Sequence, residues 1–317
     1  MASSPEIVTI ADPSTGSEAR ILAGLGFNCY SWRPTLDDGP REMLWADPNF
    51  TSGQEKPSRS GIPLLFPFPG RIGQAKYSFG GRDYQLEPNE PLGNAIHGFA
   101  LSRPWRVVEQ SPARVTGEFQ ASVDDAAILD RWPSDFRIRV SYEVRGRELL
   151  SDITFDNPDD GPLPCGFGTH TYFRLPLAER AAVEETELYA PVSKVWELRD
   201  MLATGSKLPI TPETDLGGGP LAGRKFDTSY TGLQPAADGL IQTRIHDPKS
   251  GRTLTQVFDQ QFTQCVVFTP PHREAICMEP YTCIPDSFRL AAEGYETGLR
   301  VLGPGESFAT TVRIAVS

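Results

Sequence analysis

The segment FRIRVSYEV (residues 136–144) alternates without a break: Phe136, Ile138, Val140, Tyr142 and Val144 fall on one side, charged or polar groups on the other. SFATTVRIAV (307–316) does the same through Phe308, Thr310, Val312, Ile314 and Val316. A period of two sends successive side chains to opposite faces, so these runs predict half-buried strands of antiparallel sheets. LSDITF (150–155), WRVV (105–108) and QCVVF (264–268) continue the pattern. Turn chemistry lies between them in EVRGREL, DNPDDGPLP, HDPKSGRTL and LGPGES. HDPKSGR reads as a hairpin tip, which predicts a solvent-exposed His246. Glycine and proline, 29 each, suit many short strands joined by turns better than long helices.

SVDDAAILDRW (122–132) predicts the one helix, with Ser122 as N-cap, Asp125 at the third helical position and Pro133 as the stop. TPETDLGGGPLAGRKFD (211–227) reads as a loop built on three successive glycines. No fixed-period repeat, low-complexity linker or composition break divides the chain. The expectation is an all-β fold, residues 1–317 forming a single domain of sheet packed on sheet.

The balance of 41 acidic against 30 basic residues gives a net charge of -11. Phosphate binding needs a Lys/Arg surface, so nucleic acid is a poor partner and a neutral ligand the simpler expectation. The opening MASSPEIVTIADPSTG has neither the basic region nor the apolar core of a signal peptide. No apolar run approaches the roughly 18 residues of a membrane span, so a cytoplasmic protein without a membrane partner is expected. Five cysteines (Cys29, Cys165, Cys265, Cys277, Cys283) are an odd number with no CxxC pair. They predict buried free thiols rather than a disulfide frame or a zinc site.

The chain has four histidines. His97 in NAIHGFA and His170 in GFGTHTYF each have glycine within two residues, which permits close backbone approach beside the imidazole. Taken alone, either is an ordinary core histidine, and neither is spaced to a cysteine or a second histidine as a metal ligand. Glu279 in EAICMEPYTCIPD ends an apolar run, where lost hydration raises a carboxyl group toward the range of a general base. Arg71 in FPFPGRIG is either a pocket donor or a surface charge. Asp227 in GRKFDTSY is either a ligand acceptor or an Asx-turn.

In sequence order, FPFPGRIGQAKYSFGGRDYQL, NAIHGFA, GTHTYFRL, KFDTSYTGL, CMEPYTCIPDSF and LGPGES resemble the marks of the aldose 1-epimerase (galactose mutarotase) family, from about residue 20 to the C-terminus. The resemblance implies a β-supersandwich with a sugar cleft open on one side. It places the catalytic acid on His170, the catalytic base on Glu279 and the site's second histidine on His97, with Arg71 and Asp227 binding the sugar. It implies interconversion of the α and β anomers of an aldohexose without metal or cofactor, by a monomer or homodimer. The sugar-contacting shell departs from the family at Gly70 and Thr169, where asparagine is often found, at Arg174, and in EPYTCIPD, where Gln-His more usually follows Glu-Pro.

Three alternatives stand beside this reading. GIPLLFPFPG and HGFA also resemble hexose-6-phosphate 1-epimerases, and Arg71, Arg103, Arg174 and Arg224 would have to converge on the phosphate. A glycoside hydrolase would pair Asp227 with Glu279 and leave both histidines unexplained. A non-catalytic sugar-binding protein on the same fold is usually marked by loss of the acid or the base, and both are present.

Overall fold

The alternating runs pair into two large antiparallel sheets in the computed structural model of the chain, which describes residues 6–179 and 181–317. Arg137–Arg145 and Glu148–Asp156 form a hairpin in unbroken register, turning at Gly146. Ser307–Val316 pairs with the whole length of Glu148–Asp156, and its Phe308, Thr310, Val312, Ile314 and Val316 are all buried, as the period-two pattern requires. Arg106–Gln110 and Arg114–Gln120 extend this sheet on one side. Thr253–Phe258, Ile241–His246, Glu187–Tyr189 and Gly217–Pro220 extend it on the other, for nine strands among the described residues.

The second sheet runs through Leu202–Pro209, Lys194–Arg199, Asp227–Thr231, Gln264–Phe268, Ala275–Tyr281, Gly168–Thr169 and Leu64–Leu65. Tyr172–Arg174 also pairs with Ala275–Tyr281. The sheets pack face to face over one continuous apolar core. Phe155 of the nine-stranded sheet packs its ring on Phe66 (centroids 4.9 Å apart) and Phe167 (6.4 Å) from the other side, and on Phe308 (4.5 Å) within its own sheet. Aromatic pairs at such spacings add about 0.5–1.5 kcal/mol to the area they bury.

Four expectations need correction. Residues 122–132 are not one helix. A single α turn, Ala121–Asp124, ends at Asp125 (φ −157°), and a 3-10 segment, Ala126–Asp130, follows. Side chains compete with the helical backbone here: Asp124 accepts from the Gln120 N–H, Asp135 from the Ser122 N–H, and Asp125 pairs with Arg103. His246 is half-buried, because its hairpin stays in register to the His246–Thr253 pair and the tip is Asp247–Gly251. The triple glycine forms the edge strand Gly217–Pro220, where backbone pairing with Glu187–Tyr189 needs no side chain. A helix at Ser287–Ala292 has no counterpart in the sequence reading. All five cysteines are buried and free, and among the described residues no helix is long and apolar enough to cross a membrane.

One backbone crossing fixes the loop that carries His97. Gly98 has φ +72°, and the N–H groups of Phe99 and Ala100 both donate to the Phe66 carbonyl (2.9 and 3.1 Å). A Cβ on Gly98 would lie 2.2 Å from that oxygen and 2.5 Å from its carbon. Gly98→Ala therefore strains the backbone and breaks this crossing. The expected loss is about 2–4 kcal/mol of stability, read as a lower urea midpoint at unchanged slope.

Candidate active site

Strand Ala275–Tyr281 is buried on both faces. Ile276 and Met278 join the core between the sheets, so Cys277, Glu279 and Tyr281 share the opposite face. Cross-strand register then assembles two rows on that face. Ser229, Val266 and Glu279 form one, and Asp227, Phe268, Cys277 and Tyr172 the other. Above them lies a cleft of about 550 Å³, a volume typical of small-molecule sites. Its lining includes all five sequence-predicted residues: Arg71, His97, His170, Asp227 and Glu279.

His170 reaches the cleft from the chain between Gly168–Thr169 and Tyr172–Arg174. Its backbone N–H donates to the Pro63 carbonyl (3.1 Å), and its ring stacks on Tyr172 with 9° between planes at 4.9 Å. Nε2 lies 3.3 Å from Glu279 Oε1, and both residues are buried. Tyr281 donates its hydroxyl proton to the other carboxyl oxygen, Oε2, at 2.5 Å. Burial pushes the Glu279 carboxyl well above the usual carboxylate range, while Tyr281 and Arg71 pull against that shift. The same desolvation brings the His170 imidazole down to about 4. Two groups whose values move in opposite directions at one contact form a coupled acid–base pair, in which burial favours the neutral acid beside the neutral imidazole.

His97 is set by the hairpin-like pairing of Arg71–Ile72 with Ala95–Ile96, which seats Arg71 opposite Ile96. Its backbone is left-handed (φ +70°), unusual for a residue with a side chain. The Gly70 N–H donates to His97 Nδ1 at 3.2 Å, so the ring proton belongs on Nε2. Burial, with His170 and Arg71 close by, holds this imidazole well below its ordinary value and therefore neutral. The His97 and His170 rings meet edge to face at 5.6 Å. Arg71 makes no side-chain hydrogen bond among the described residues, and its buried Nε has no partner. Asp227 stands at the rim, where partial desolvation raises its carboxyl and Arg71 opposes the rise.

The four arginines considered for a phosphate do not converge. Arg71 and Arg103 line the cleft, Arg103 already paired with Asp125 at 2.6 Å. Arg174 instead donates to the Leu44 carbonyl, and Arg224 to carbonyls of its own loop. Asn94, upstream of the His-Gly pair, is structural: it accepts from the Gln74 N–H at 2.9 Å. The departure at Gly70 has a steric reason, since a Cβ there would lie 2.4 Å from Pro285 Cγ. Sequence reading missed Tyr281 and Cys277. The signal was present in CMEPY, where a period of two places both beside Glu279. Cross-strand pairing also brings together what linear spacing does not: ligand atoms of His170, Cys277 and Glu279 lie within 4.8 Å of one another.

Comparison with known proteins agrees with this architecture. The chain is similar to a galactose mutarotase-like protein from Clostridium acetobutylicum, with a TM-score of 0.86, 20% identity and 99% of each chain covered. It is also similar to a GalM/aldose epimerase homologue from Caenorhabditis elegans, with a TM-score of 0.80, 19% identity and 99% of each chain covered. In sequence it is 26% identical over 230 residues to the Escherichia coli protein YihR, named as uncharacterized, covering 71% of this chain and 70% of that one. These structural likenesses establish the β-supersandwich fold. The aldose 1-epimerase family profile matches residues 7–315, and the chain belongs to that family.

Proposed function

We propose that the chain is an aldose 1-epimerase, a single-domain mutarotase interconverting the α and β anomers of an uncharged aldohexose in the cytoplasm, as a monomer or homodimer. The observation that carries the reading is the 3.3 Å contact between His170 and Glu279 on the floor of a sugar-sized cleft. In this reading His170 and Glu279 move protons, the Nε2–H of neutral His97 donates to a sugar oxygen, and Arg71 and Asp227 bind the sugar.

Anomer exchange breaks the bond between C1 and the ring oxygen. O1 loses its proton and becomes a carbonyl oxygen, and the ring oxygen gains a proton. Glu279, as carboxylate, takes the first proton, and His170, as imidazolium, supplies the second. Tyr281 and Arg71 favour that carboxylate once the sugar is bound. Ring opening leaves a neutral acid beside a neutral imidazole, the form that burial prefers. Rotation about C1–C2 and the reverse transfers then close the ring on the other face. The pair's proton count is the same at the start and the end. Each positioned acid or base contributes about 10²–10⁴ in rate, enough for a reaction that sugars already undergo in water.

A phosphorylated hexose is the second reading, favoured by the free guanidinium of Arg71 and by Lys56 and Arg59, which also line the cleft. A glycosidase pair is disfavoured, because the titratable group in contact with Glu279 through its Oε1 is His170 rather than a carboxylate.

His170→Asn and Glu279→Gln should each lower kcat for anomer exchange at least about a hundredfold with the thermal unfolding curve retained. Polarimetry on α-glucose and α-galactose reads this, and near-normal rates in either variant remove that residue from the reaction. Glucose 6-phosphate, run alongside, should show no gain in kcat/KM over glucose.

The pH profile follows from the shifts. His170 takes up a second proton only toward pH 4, so activity should persist through pH 5–6 and fall below that. Loss of the pair's one proton ends activity on the alkaline side, at a pH set by the raised Glu279. Tyr281→Phe removes a hydrogen bond that favours the carboxylate, so the alkaline limb should move upward. An unmoved limb would show that Tyr281 does not act on Glu279.

A further inference from the structure

We propose that His170, Cys277 and Glu279 form a binding site for a divalent transition ion of the zinc type, and that the ion and the sugar exclude each other. Three donor kinds meet there: an imidazole nitrogen, a thiol sulfur and a carboxyl oxygen, mutually within 4.8 Å. All three residues are more than nine-tenths buried, with exposures of 8%, 0% and 1%. Glu279 Oε1, the oxygen that faces His170 Nε2, is buried without a hydrogen-bond partner, so the cluster keeps an unsatisfied acceptor aimed at the imidazole.

The dimensions fit. Bonds of about 2.0–2.1 Å to nitrogen and oxygen give a tetrahedron with an edge of about 3.3 Å. That is the observed separation of His170 Nε2 from Glu279 Oε1. Cys277 shares a strand face with Glu279, and its sulfur, whose bond to zinc is longer at about 2.3 Å, supplies the third donor within the 4.8 Å spread of the ligand atoms. Tyr281 holds the remaining carboxyl oxygen and orients the ligand. His170 and Glu279 both line the cleft, the route by which an ion would enter.

The donor set also decides which ion. Thiolate with imidazole selects zinc or cobalt over magnesium and calcium, which require six or more oxygen ligands. On binding, the Cys277 thiol proton and the proton held by the His170–Glu279 pair are both released to solvent, and the metal takes lone pairs from the thiolate, the imidazole and the carboxylate. Mutual exclusion with the sugar rests on the proposed role of that pair; metal binding itself does not.

Cobalt(II) added to the 317-residue chain without reductant is the test. Wild type should take up one equivalent with a sulfur-to-cobalt charge-transfer band in the near ultraviolet and the intense visible bands of a four-coordinate ion. Cys277→Ser should lose the ultraviolet band and bind at least about a hundredfold more weakly, a larger loss than removing an outer-shell partner brings. His170→Asn, checked for folding by its thermal unfolding curve, should weaken binding as much. No sulfur band in wild type, or an unchanged band in Cys277→Ser, overturns the site. These spectra need no sugar, so they stand even if the chain has no epimerase activity. Zinc bound at one equivalent with anomer exchange unslowed overturns the exclusion.

Discussion

The backbone ladder on strand Ala275–Tyr281 is the constraint from which the rest of the site follows. The strand pairs with Gln264–Phe268 on one side and with Gly168 and Tyr172–Arg174 on the other, so it has no free edge. With both edges paired and both faces covered, its register cannot slip without moving Ile276 and Met278 out of the core. That same register fixes the height of Glu279 in the cleft. Packing between the sheets and placement of the carboxyl group are one requirement, met by alternate residues of seven.

Burial then sets the electrostatics. The chain as a whole is strongly acidic, yet the floor of its cleft is buried, with a carboxyl, two imidazoles and a guanidinium sharing a small volume. Desolvation moves the carboxyl up and both imidazoles down, and it is the largest cause of all three shifts. His97 and His170 nevertheless end in different states of use. His97 has its Nδ1 occupied by the Gly70 N–H and can only donate from Nε2, whereas His170 faces Glu279 with Nε2. Two residues of the same type thus receive distinct roles from what each nitrogen touches.

Strands with unbroken alternation, such as Arg137–Arg145 and Ser307–Val316, were legible in the sequence because one face is buried and the other wet. Ala275–Tyr281, covered on both faces, shows no such contrast, and only the carboxylate at its end drew attention. The helix expected at residues 122–132 failed because Asp124, Asp125 and Asp135 bind particular distant or backbone partners, which local propensity does not encode. Arg71, His97, His170, Asp227 and Glu279 were legible as a set through their order. Tyr281 and Cys277 were not, since their relation to Glu279 is a matter of strand face and cross-strand row.

The close fit of Gly70 beneath Pro285 carries an evolutionary consequence. A proline ring is rigid, and it occupies the volume that any side chain at position 70 would claim. An asparagine there is incompatible with the ring opposite. Positions 70 and 285, far apart along the chain, are therefore tied together: no side chain can be gained at the first while the ring stands at the second.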